Sequence, residues 1–166
     1  MLEKQYFEDC RVGEQVVTPG RTITETDIVW FAAFTGDWNS IHSDAEFARG
    51  QPCGERVAHG LLSLVIGFSL LFRLGQHALF PKSLVALSGL EKVRFVEPVR
   101  IGDTLHLEAE ILEMTRLANE TGIIELRYRV RNQRQELVVG TKVKVVAGCR
   151  PVSGNPEPTP VNTQTV

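Results

Sequence analysis

The sequence predicts an α+β domain in which an antiparallel sheet curls around one long, central, apolar helix. Three observations carry that prediction. At 166 residues the chain is most simply a single domain, long enough to bury a real core. The stretch LLSLVIGFSLLFRLGQHALF, beginning at Leu61, is apolar on nearly every side, and a helix without a polar face has to be surrounded by protein. The second half of the chain then supplies four long strand-like runs, so the wrapper is a sheet.

Each element follows in order. The start, MLEKQYFEDC, is acidic without an apolar core and does not read as a signal peptide. EQVVTPGRTIT gives two short strands around a Pro19-Gly20 turn. Thr24 is placed as an N-cap, with Asp27 completing a capping-box pattern. Ile28, Phe31, Ala32 and Thr35 then share one helical face, and Gly36 stops the helix. A short helix is expected after His42, capped by Ser43 or Asp44, with Phe47 and Ala48 facing inward. Gly50 to Gly60 reads as a loop leading into the central helix. LVALSGLEKVRFVEPV, DTLHLEAEILEMTR, GIIELRYRVRNQ and ELVVGTKVKVVA are the four strands, punctuated by Pro98, Gly102-Asp103, Asn119 to Gly122 and Asn132 to Gln135. The rest is rich in Pro, Thr and Asn. The folded domain is therefore placed at 1–147, with a disordered tail at 148–166.

Composition narrows the partners. A formal charge of -2 argues against a nucleic-acid binder, which carries a dense basic face. Cys10, Cys53 and Cys149 are far apart and odd in number, so they read as free thiols in a reducing compartment. The apolar stretch from Leu61 to Phe72 falls short of the roughly 20 residues that span a bilayer. No membrane association is expected, and the expected location is cytoplasmic.

The chemistry concentrates in FAAFTGDWNSIHSD, Phe31 to Asp44. Asp37 and His42 are either ordinary loop residues or a pair positioned to move a proton. Five residues apart around a turn, a carboxylate and an imidazole can be aimed at one water, with Asn39 between them to hold the loop or the water. Asp37, His42 and Asp44 could in principle bind a metal, but no fourth ligand is obvious and none is expected. His77 and His106 carry no assigned role, and Ser63 and Ser69 read as helix packing.

TGDWNSIHSDAEFA resembles the signature of the MaoC-like dehydratases, or (R)-specific enoyl-CoA hydratases: Gly-Asp-x-Asn-Pro-(Ile/Leu)-His followed by a short helix. The resemblance continues in RTITETDIVWFAAFTGD, GERVAHGLL and VRFVEPVRIGDTL. Ser40 stands where the family has proline, and Phe68 falls where some members carry a serine near the acyl pocket.

The resemblance implies a single hot-dog domain that reversibly adds water, syn, to a trans-2-enoyl-CoA to give an (R)-3-hydroxyacyl-CoA. It implies that Asp37 and His42 bind the catalytic water, and that the Gly60 amide, opening the buried helix, is the oxyanion donor. Asn39 completes the catalytic set. Trp38, Phe34 and Leu61 are candidates for the acyl pocket wall or for plain core. His59 reads as a buried histidine at the substrate site, and Lys92 and Arg94 are candidates for the phosphates of coenzyme A, as are Arg100, Lys142 and Lys144. No cofactor is expected, coenzyme A being part of the substrate. A homodimer or higher homo-oligomer is expected. The alternatives are a dehydratase for a branched, dicarboxylic or carrier-protein-bound thioester, and a non-catalytic acyl-CoA-binding subunit of the same fold.

Overall fold

The computed structural model describes residues 4–75 and 77–151. Along the chain come β1 (Gln15–Val17), β2 (Arg21–Thr22), α1 (Glu25–Thr35), α2 (Ser40–Ser43), α3 (Ala45–Arg49) and α4 (Gly60–Leu70). The long strands β3 (Leu84–Phe95), β4 (Thr104–Arg116), β5 (Thr121–Arg131) and β6 (Leu137–Gly148) follow. They form one antiparallel sheet in the order β1-β4-β5-β6-β3, with β2 also pairing on β4.

The alternation that marks these strands in the sequence sorts their side chains onto two faces. Leu105, Leu107 and Ile111 of β4, Ile124, Leu126 and Tyr128 of β5, and Val143 and Val145 of β6 are buried. The other face is laced with Glu110–Arg127, Glu108–Arg131 and Glu125–Lys142 ion pairs. Each contributes little stability, and together they keep that face in water.

α4 lies across the inner face, over β4, β5 and β6. Close approach depends on Gly67: a Cβ there would fall inside the roughly 3.5 Å that carbon atoms need from Val130 Cγ2. The expected enclosure on all sides is not made within one chain. The sheet covers one side of α4, while Leu61, Val65 and Phe72 stay 56–59% exposed. The helix is also shorter than the apolar run. It ends at Leu70, passes into a 3-10 turn at Leu71–Leu74, and breaks at Gly75, whose φ of +108° favours glycine. Leu79 and Phe80 are buried as loop residues instead.

The local signals around α1 act as the sequence implies. The Asp27 N–H reaches Thr24 Oγ1, the Thr24 N–H reaches Asp27 Oδ2 at 2.8 Å, and Gly36 adopts φ +78°. α3 is a single turn with one inward side, so Ala48 is buried but Phe47 is 47% exposed, against expectation. Ordered contacts continue just past residue 147. Gly148 closes β6, buried Cys149 donates its N–H to Glu120 O, and Arg150 pairs with Asp9 at 2.6 Å. The remainder of the expected tail, 152–166, lies outside the described residues. No helix among the described residues is long and apolar enough to cross a membrane.

Candidate active site

Two backbone segments meet at the start of α4. The first runs from Gly36 through α2. Gly36 reverses the chain, the Asp37 carboxylate accepts the Asn39 N–H at 3.3 Å, and the Asn39 side-chain oxygen accepts the Ile41 N–H at 3.1 Å, capping α2. α2 is absent from the sequence reading, although Asn39 is a strong cap residue. The second segment, Val57 to Gly60, is braced from below: Ala58 N–H donates to Val99 O at 2.8 Å. Asp103 holds that brace in shape by accepting the Arg100 N–H at 2.9 Å and bonds from Gln133 and Arg134. Burial pushes the Asp103 carboxyl up, but these hydrogen bonds and the Arg134 charge outweigh it and hold the group below the usual aspartate range.

The segments are clasped by three contacts. Val57 N–H donates to Ile41 O, His42 Nδ1 lies 2.7 Å from Val57 O, and His59 Nε2 lies 3.0 Å from Asp37 O. A carbonyl oxygen only accepts, so the proton of each ring is assigned to the bonded nitrogen. Neutral His42 then presents its Nε2 lone pair as a base, with ring orientation fixed by Val57. His59, 2% exposed, donates through Nε2 and leaves its buried Nδ1 without a partner among the described residues. The two imidazoles stack at 3.8 Å and 31°, and Phe31 tilts against His59 at 5.0 Å.

One ring nitrogen of each histidine and a carboxylate oxygen of Asp37 lie within 4.8 Å of one another. That spacing suits one water held between a carboxylate and an imidazole. The same three side chains are close enough to share a metal ion. Asp44 is not part of this cluster, because its carboxylate caps α3 through the Glu46 and Phe47 N–H groups.

Gly60 is the first residue of α4, where N–H groups lack intrahelical partners. Any Cβ there would press on the Phe95 ring at 3.0 Å. A cavity of about 180 Å³ opens beside it, lined by Ala58, Ser63, Phe95 and Val139 among others. A second cavity, about 250 Å³ and apolar, lies near the other end of α4 and includes Phe68 and Tyr128.

The other sequence candidates lie outside the cluster. Phe34 and Trp38 are 74% and 55% exposed, and Phe34 stacks on Trp30 at 5.3 Å. Leu61 is exposed rather than core. Lys92, at φ +52°, and Arg94 are exposed on irregular β3 and make no ion pair among the described residues. Lys142, Lys144 and Arg100 are engaged by Glu125, Glu91 and Glu55. The sequence reading missed the Val57 carbonyl that orients His42. A backbone oxygen leaves no residue-type signal. It also missed Tyr128, whose inward register between Leu126 and Val130 was the available sign.

Residues 8–133 match the MaoC like domain. The chain is 38% identical over 104 residues to Protein MaoC of Klebsiella aerogenes, a match covering 63% of this chain and 30% of that protein. The chain thus spans less than a third of that relative's length. It is 36% identical over 118 residues to the 3-hydroxybutyryl-CoA dehydratase of Methylorubrum extorquens, covering 68% of each. Among solved structures, R-Hydratase PhaJ1 from Pseudomonas aeruginosa superposes with a TM-score of 0.71 at 28% identity, covering 94% of this chain and 96% of that one. The chain belongs to the MaoC-like dehydratase domain family, and its sheet-and-helix architecture is the hot-dog fold.

Proposed function

We propose that this chain catalyses the reversible syn hydration of a trans-2-enoyl-CoA to an (R)-3-hydroxyacyl-CoA. The observation that carries the reading is the His42 imidazole, fixed by Val57 O with its Nε2 lone pair free and set beside the Asp37 carboxylate. The named relatives, a 3-hydroxybutyryl-CoA dehydratase and an R-hydratase, support a thioester substrate and this stereochemistry.

Water sits between Asp37 and His42. Its oxygen bonds to C3 as the pair takes one of its protons, and the pair returns a proton to C2 on the same face. Negative charge that develops on the thioester oxygen is met by the Gly60 N–H, a donor of a kind worth ~3 kcal/mol in the transition state. Asn39 holds the loop through its cap on α2. His59 anchors the Asp37 backbone and backs the His42 ring. Exposed Lys92 and Arg94 are available to the phosphates of coenzyme A.

The reading extends to two copies of the chain. β3 is an edge strand, with Val85 and Leu87 more than half exposed and Val96 just past its end equally open, and its residues line the two cavities beside α4. An exposed apolar edge of this kind calls for a partner, and a second β3 would also enclose Leu61 and Val65.

The test is hydration of crotonyl-CoA with resolution of product chirality. The (R)-3-hydroxy thioester is expected, with Asp37→Asn and His42→Ala each lowering kcat by roughly 10²–10⁴ while remaining folded. Activity that survives both substitutions refutes the mechanism. A monomeric mass by light scattering refutes the dimer.

A further inference from the structure

The cavity beside Gly60 and the larger apolar one are both lined by residues of α4, β3 and β6. β6 supplies Val139 to the first and Val143 and Val145 to the second, while β3 supplies Phe95 and then Leu87 and Leu84. From Gly60 to Phe68 is about 12 Å along the helix axis. A thioester held at the Gly60 N–H therefore sends a medium-length tail into the far cavity.

That cavity holds one group at odds with its lining. Tyr128 is 2% exposed, its ring packs on Phe68 at 4.8 Å, and its hydroxyl has no hydrogen-bond partner among the described residues. A phenol on the wall of an apolar cavity is a donor without an acceptor there, and phenylalanine would fill nearly the same volume without one. Burial pushes the phenol up, so it stays protonated and able to donate. The other residues lining the cavity are apolar, without a cation, so a carboxylate arriving there would be buried unpaired.

We propose that Tyr128 makes the far cavity a site for an acyl chain bearing an uncharged oxygen, a keto or hydroxyl group, near its distal end, with the phenol donating to that oxygen. This rests on reading the two cavities together as the acyl site of the proposed hydratase.

The experiment is calorimetric titration with two saturated, unreactive ligands, decanoyl-CoA and its counterpart carrying a keto group one carbon from the chain end. The wild type is expected to bind the keto ligand more tightly by on the order of tenfold. Tyr128→Phe should weaken that ligand alone and erase the preference, and Tyr128→Leu serves as a second variant. A wild-type ratio near one, a preference that survives in both variants, or no binding of either ligand overturns the proposal. Hydration of crotonyl-CoA, which is too short to reach the far cavity, is followed separately with the wild type. Failure of the wild type to hydrate it would count against the reaction, while the binding ratio still decides the role of Tyr128.

Discussion

Replacing Gly67 by alanine sets helix propensity against packing. In an exposed helix interior the change is favourable by about 1 kcal/mol, because glycine loses more backbone freedom on folding. Here Gly67 sits where α4 crosses β5, and its new Cβ would overlap Val130 Cγ2. Val130 is 1% exposed on the central strand, and its branched side chain has little rotamer freedom with which to retreat. Relief requires a shift of helix or strand, and overpacking of this kind costs roughly 1–3 kcal/mol. The overlap is severe, so the upper end applies; about 3 less about 1 leaves a destabilisation of about 2 kcal/mol. For a chain of this size that lowers Tm by roughly 4–8 °C, and in urea the midpoint falls while the slope holds. Adding Val130→Ala should restore part of the loss, because the cavity it opens accepts the new methyl. If Gly67→Ala is as stable as the wild type or more so, α4 does not rest on β5 as described.

Two further outcomes follow from groups away from the reaction. The native Asp103 carboxyl is held below its ordinary range, so its contribution to stability is present above the unfolded aspartate value of ~3.9 and is lost as pH falls through the native one. The stability advantage of wild type over Asp103→Asn in urea melts should therefore shrink as pH is lowered from neutral, and a constant difference refutes the assignment. Cys10 is buried, with its thiol pushed up to about 11, and Cys149 is buried, while Cys53 is partly exposed. A disulfide reagent at mildly alkaline pH should titrate one thiol quickly in the native protein and three in denaturant, with Cys53→Ser abolishing the fast phase.

Much of this arrangement is legible in the sequence because its causes are local. The Thr24–Asp27 cap, the Gly36 stop and the four long strands depend on residues a few positions apart, and the structure places them where those patterns point. The proximity of Asp37 and His42 follows from a turn of the same short range. What the sequence conceals is set at a distance. His42 takes its orientation from a carbonyl fifteen residues on, and His59 reaches back to the Asp37 backbone. The uncovered face of α4 escapes notice because an apolar helix reads alike whether its last neighbour is the same chain or another one. Phe47 fails for a simpler reason: a five-residue helix has too few turns to bury a stripe.

The clasp between residues 41–42 and Val57 also turns the segment between them into an excursion tethered at its two feet. Closure entropy rises slowly with length, about 0.6 kcal/mol for each doubling, so the tether tolerates a longer excursion at small expense. Extra residues grafted near Gly54, which adopts φ +71°, would extend into solvent and leave the histidine stack in place. This stretch is thus where such a scaffold can gain a cover over its substrate, or a contact to a carrier protein, without rebuilding the chemistry beneath it.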